Sequence, residues 1–283
     1  MNKIITSLNI YKSHIYISSL DGSIQKTHIN DYSEKLPLII SDGFFSESVI
    51  LDVQFYKNVL YVLTDSGIYK YTNDNFEVVK ELYDASLMCI DSSRGYMFVV
   101  SDSRGIICIN LKLDRYALDI KSISTIRLTE KIYSISAIVA KGGVIFLSII
   151  NCGVYRINYS VKNSSIHHYV IPKLDTKAPQ DIFYNKNHKE LAIVDYQIGL
   201  ILLDIRSGLT SINELPRGVR PQNIEYIGVN EGVYIIQTNK GLYKFDRANR
   251  NLEVASEEQV ANIITYNKRL YYTVDGKLKS TKI

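Results

Sequence analysis

Short runs of branched and aromatic residues, broken at regular intervals by turn chemistry, set the pattern of this chain. In the stretch 58–75, NVLYVLTDSGIYKYTNDN, Val59–Leu63 and Ile68–Tyr71 read as two strands. Asp65-Ser66-Gly67 reads as the turn between them, with Gly67 free to take a positive φ. The same order of strand, turn glycine and strand returns around Gly22, Gly105, Gly153, Gly199, Gly241 and Gly276. Consecutive turn glycines lie 35 to 48 residues apart.

A repeat of that length made only of strands predicts four-stranded antiparallel blades. One such sheet cannot cover both of its faces, whereas a ring of them covers each with the next. The expectation is an all-β fold, a seven-bladed β-propeller with six blades as the alternative, forming a single domain over 1–283. Ala178-Pro179-Gln180-Asp181-Ile182 and Arg220-Pro221-Gln222-Asn223-Ile224 support the frame independently, since they stand 42 residues apart and each leads into the first strand of a repeat. The third repeat is expected to draw its fourth strand from Ile120–Leu128. The seventh is three-stranded, with Ala261–Tyr266, Leu270–Val274 and Lys277–Ile283, so the ring is expected to close by face packing. Lys277, Lys279 and Lys282 then guard the free edge. Helix is confined to single turns at Thr129–Ser134 and Glu257–Asn262.

Gly67-Ile-Tyr-Lys-Tyr, Gly153-Val-Tyr-Arg-Ile and Gly241-Leu-Tyr-Lys-Phe resemble the hairpin of two-component-regulator-type propeller repeats. The stretch from Leu191 to Leu200, LAIVDYQIGL, is similar to the LVIVP type. The resemblance implies the propeller fold and leaves the activity open. The chain lacks tryptophan, and so the WD dipeptide of WD40 blades, and with Gly142-Gly143 its single Gly-Gly dipeptide it lacks the recurring pairs of kelch blades.

Composition narrows the function classes. A net charge of +4, spread along the chain, is not the dense basic stripe of a nucleic-acid binder, so nucleic acid is not an expected partner. Cys89, Cys108 and Cys152 form no CxxC pair and point to a reducing compartment. The first residues hold no signal-peptide core, and no apolar run is long enough to span a membrane, so the expected location is cytoplasmic.

Chemistry-bearing residues are sparse. Asp21, Asp65, Asp102, Asn151, Asp195, Asn239 and Asp275 stand at the turn between second and third strands, where a carboxylate or amide caps the turn. No metal or other cofactor is expected from them. Asp52, Asp91 and Asp181 sit on first strands, where propeller enzymes carry acids, but no matching Glu or His set joins them. His167 and His168 point to opposite faces of a strand. No catalytic residue is assigned, and the chain is not expected to be an enzyme. The leading expectation is a protein–protein interaction scaffold that uses one face of the propeller; ligand sensing, or a hydrolase or lyase with a site at the channel mouth, is the alternative. Loop aromatics and arginines mark the candidate face: Phe44 and Phe45, Lys177 and Gln180, and Arg217, Arg220 and Gln222. A competing reading tucks Phe44 and Phe45 into the seam between the first two blades.

Overall fold

The computed structural model describes residues 4–30, 38–41, 43–112, 115–120, 134–159, 167–170, 176–228 and 232–283. Among these residues the chain is all strand, 27 strands in seven antiparallel sheets and no helix. Six sheets have four strands and the last has three, and within each sheet every strand pairs with its sequence neighbour. Sheet two is representative: Ile50–Tyr56, Val59–Thr64, Gly67–Thr72 and Asn75–Glu81. Sheets one to three make one compact unit. Sheets four to seven make a second, apart from short pieces at Ala140–Gly142 and Asp275–Leu278 that group with the first.

Strand periodicity explains the packing. Neighbouring residues on a strand point to opposite faces, and the second strand of each sheet is buried on both. Leu60 and Val62 join Tyr16, Ile24 and Val53 in a cluster between sheets one and two, while Tyr61 and Leu63 join Met88, Met97 and Val99 on the other face. In the second unit, Leu191 and Ile193 pack with sheet four through Phe146 and Val154, and Ala192 and Val194 pack with sheet six through Tyr234 and Ile236. Each fully buried aliphatic side chain contributes on the order of 1.5–3 kcal/mol of transfer free energy, so a second strand holds two cores together at once.

Three details depart from the sequence expectation. The fourth strand of sheet three is Arg115–Ile120, not Ile120–Leu128. It pairs Asn110 with Arg115 and Ile106 with Ile120, because the short connection after Asn110 returns the chain at once; 121–133 lie outside the described residues. Gly67 is not a left-handed turn residue either, since its φ of 159° is close to extended. A Cβ there would stand 2.6 Å from the Lys80 carbonyl oxygen, so glycine is needed for the close approach of the fourth strand. Gly241 has both requirements, with φ 108° and the Ser256 carbonyl oxygen 2.1 Å from a built Cβ. The expected turn at 257–262 is not helical.

Most first strands carry an irregularity near their start, where one residue is skipped in the pairing. The skip falls between Ile5 and Ser7, Ile50 and Asp52, Pro179 and Asp181, and Pro221 and Asn223. Bulges of this kind re-aim the side chain that follows them.

Candidate functional site

One end of each sheet carries the turn between its second and third strands together with the loop that enters its first strand. In sheets two, five and six an Asx side chain at the turn holds that loop. Asp65 Oδ1 accepts from the Val49 N–H at 3.0 Å, Asp195 Oδ2 from Ala178 at 3.0 Å, and Asn239 Oδ1 from Arg220 at 2.7 Å. Backbone bonds reinforce the clasp, from Tyr196 N to Ala178 O at 2.9 Å and from Asn239 N to Arg220 O at 3.1 Å. In sheet three the roles reverse, and Asp84 in the entering loop accepts from Ser101 and Ser103. No group of three or more His, Cys, Asp or Glu side chains among the described residues is placed to hold a metal.

The clasps of sheets five and six gather a charged rim. Lys177 precedes the clasped Ala178, and its carbonyl accepts from Asn151 N at 2.7 Å. Tyr196, 40% exposed, lies under the Arg220 guanidinium at 4.8 Å from the ring centroid, a cation–π contact worth about 0.5–1 kcal/mol at an exposed site. Asn239 fixes the Arg217–Arg220 loop from the other side by donating to the Gly218 carbonyl at 3.3 Å, and the Lys240 ammonium lies beside Gly218. Lys177, Arg217, Arg220 and Lys240 make no ion pair among the described residues. They stand in contrast to Lys70, Lys244 and Lys279, each three residues past a turn glycine, which pair with Glu77, Glu253 and Glu258 at 3.3, 2.9 and 2.5 Å.

The structure thus brings five of the seven candidate residues to one rim in the second unit. Gln180 is half-buried at a bulge and donates to Ala178 O at 3.1 Å, while Gln222 is exposed and accepts from Gln237 at 3.3 Å. The other two candidates belong to the first unit, and they separate. Phe45 is 1% exposed in the core with Tyr16, Ile24, Ile50 and Phe76, so it is unavailable to a partner. Phe44 is 49% exposed and stacks on Phe76 at 5.2 Å. The Phe45 assignment to a binding face is therefore corrected. Its apolar ring fills the seam between two sheets, which a solvent-facing position could not match energetically.

Three first-strand carboxyls titrate well above the usual carboxylate range. Asp52 accepts from Ser7 Oγ at 2.8 Å, Val53 N at 2.8 Å and Gln54 Nε2 at 3.0 Å, and burial pushes its carboxyl up to about 6. Asp181 accepts from Ile182 N at 2.8 Å and from Ile224 N of the next sheet at 3.0 Å, and burial pushes it, too, up to about 6. Glu225 rises to about 8, first through burial and then through the charge of Asp181. Asp91, in contrast, caps its own turn at Ser93 and Arg94. Sequence reasoning missed Tyr196, Lys240 and Glu225. Tyr196 shows in the sequence only as an aromatic inside a turn motif, with nothing to tie it to Arg220, and Glu225 only as a lone acid in a strand.

No family model matches the chain, and no curated protein matches it. Among solved structures, the chain is similar to the extracellular domain of the putative one component system BT4673 from B. thetaiotaomicron, with TM-score 0.75 and 15% identity over 99% of this chain and 38% of that one. A second structure of an extracellular domain, titled the putative hybrid two component system BT4673, gives TM-score 0.74 and 15% identity with the same coverage. The computationally designed Ika8 protein gives TM-score 0.65 and 9% identity over 100% of this chain and 97% of that one. The fold is shared with these structures, and the chain spans well under half the length of the first two. The cytoplasmic expectation is corrected on this finding, since both natural structures of the same fold are extracellular domains. The cysteine argument behind it also fails physically. Cys89 and Cys108 are buried in strands, and a thiol packed as a small hydrophobe carries no information about the redox compartment.

Proposed function

We propose that this protein is a non-enzymatic binding module, a seven-bladed propeller of two-component-regulator-type repeats that recognises an acidic protein surface with the rim of sheets five and six. The observation that carries this reading is the Tyr196–Arg220 stack set among Lys177, Arg217 and Lys240, cations without carboxylate partners among the described residues. Exposed arginine and tyrosine are the residue types that dominate binding energy at interfaces, and the Asx clasps fix the loops that present them, so little order has to be gained on association. Unpaired cations also steer an acidic partner over a Debye length of about 8 Å at physiological salt.

Affinity capture with the full chain tests this reading, comparing the parent with Arg217→Glu/Arg220→Glu. Both residues are exposed, so the double variant keeps the fold, which a thermal melt checks. The expected result is a set of acidic proteins held by the parent, lost with the variant and released at about 0.5 M salt. Identical capture by parent and variant would sink the proposal, and capture abolished by nuclease would replace the protein partner with a nucleic acid. A second reading, ligand sensing outside the cytoplasm, draws its support from the likeness to extracellular domains of one-component and hybrid two-component systems.

A further inference from the structure

At the opposite end of sheets five and six, a cleft of about 710 Å³ opens between them. Its apolar lining is Leu202 and Phe245, both buried, with Leu209 at 73% exposure on the lip. Glu190, Asp204, Thr210 and Ser211 line it from sheet five, and Arg247 and Arg250 from the connection between the third and fourth strands of sheet six.

The charges in this cleft are not equivalent. Glu190 is 8% exposed and already satisfied: Oε1 accepts from Tyr234 Oη at 2.8 Å and from Arg247 Nε at 3.1 Å, and Oε2 from Arg247 Nη2 at 3.5 Å. That fork fixes the Arg247 guanidinium and leaves its Nη1 without a partner among the described residues. Arg250 is exposed and makes no hydrogen bond or ion pair among the described residues. On the sheet-five side, Asp204 Oδ1 accepts from Arg206 N at 2.8 Å and Ser207 N at 2.9 Å, which keeps the carboxylate ionised. Two guanidiniums with free N–H groups therefore share the cleft with two carboxylates, of which Glu190 is held by Arg247 and Asp204 is left facing the cleft without an arginine fork.

We propose that this cleft binds a small zwitterion with an apolar side chain, an α-amino acid or a dipeptide. The ligand's carboxylate meets the free N–H groups of Arg247 and Arg250, where charge-assisted bonds are strongest. Its ammonium meets Asp204, and its side chain covers Leu202, Leu209 and Phe245. A simple anion leaves Asp204 as an uncompensated like charge, and a metal cation is repelled by two arginines. Ligand sites of this size combine apolar walls with a few fixed polar groups in the same way. The site is separate from the partner rim and does not rest on it.

Calorimetry on the full chain with leucyl-leucine at low salt tests the proposal. Saturable binding is expected, weakened by about tenfold or more, or about 1.4 kcal/mol, for the C-terminal amide and for the N-acetyl form. Arg250→Ala and Asp204→Asn should each weaken it by a similar factor. Arg250 has no partners to lose, and asparagine retains the Oδ1 acceptor of the turn, so both melts should match the parent. Absence of heat at about 10 mM leucyl-leucine overturns the proposal, that concentration corresponding to the weakest useful affinity. So does an amide that binds as well as the free acid, affinity unchanged in both variants, or inorganic phosphate competing as well as the dipeptide, which would mark an anion site.

Discussion

Asp52 in sheet two and Asp181 in sheet five hold the same place, just past the irregularity of a first strand, but their surroundings make them different devices. Asp52 is surrounded by donors: a serine from sheet one, its own strand's Gln54 and a backbone N–H. Gln54 in turn donates to the Met88 carbonyl at 2.8 Å, and Asn9 donates to Val53 O at 3.0 Å, so the first unit is stitched from sheet to sheet. Asp181 receives two backbone N–H groups and then meets a second carboxyl, Glu225, whose own donor is Thr265 at 3.2 Å. Gln54 and Glu225 occupy equivalent positions two residues further along their strands. An amide there closes a hydrogen-bond network, and an acid there creates a pair that changes with pH.

The largest effect is expected where the network is complete. Asp52→Ala leaves Ser7, Gln54 and the Val53 N–H short of an acceptor, and each orphaned buried donor costs about 1–3 kcal/mol. Urea denaturation at pH 5, below the folded Asp52 value of about 6, should show a loss of about 3 kcal/mol, and the loss should shrink as pH rises through 6 and the parent takes on a desolvated charge. A change below about 0.5 kcal/mol, the scale of an ordinary surface substitution, would show that the stitch is not structural. Glu225→Gln comes next, and its sign depends on pH. Its folded pKa of about 8 lies above the usual 4.5, so the stability tied to Glu225 is full below 4.5 and is lost as pH rises through 8. Gln removes that loss. The variant should be more stable than the parent by about 2 kcal/mol at pH 9 and nearly silent near pH 4.5. Equal melts at both pH values would contradict the pair.

Asp181→Asn is a smaller change, of about 1 kcal/mol or less. Without the charge of Asp181, the Glu225 midpoint should fall by up to about one unit, read from the carboxyl carbon shift in an NMR titration. A midpoint that stays in place would assign the whole Glu225 shift to burial. The smallest effect belongs to exposed charge. Lys244→Ala breaks the 2.9 Å pair with Glu253, yet thermal denaturation should move by no more than about 0.5 kcal/mol, the usual worth of a solvent-screened pair.

These two regions also show what the sequence could convey. The hairpins were legible because Gly67-Ile-Tyr and its relatives combine strand formers with a required glycine, although at Gly67 the reason is close strand approach and not turn handedness. The first-strand irregularities were not legible, because skipping one residue leaves local composition unchanged while re-aiming Ser7, Asp52 and Asp181. Glu225 was missed for a related reason, since a lone acid in a strand reads as a solvent-facing residue until the neighbouring sheet is placed against it. Of the candidate rim, the arginines were legible as loop cations. Their stacking partner Tyr196 was not, because it comes from a different turn. Phe45 could be read either way until its burial was known.

The Asx clasps carry a consequence for how the molecule forms. The side-chain bonds from Asp65 to Val49, Asp195 to Ala178 and Asn239 to Arg220 span 16, 17 and 19 residues. Every described strand pairs only with its sequence neighbour, so each sheet and the loop that enters it are built from local contacts. Loop-closure entropy grows with the logarithm of length, and low contact order shortens the search. Each repeat can therefore settle its own register before the next has been synthesised, and a nascent chain emerging at about 5–20 residues per second has a few seconds per sheet in which to do so.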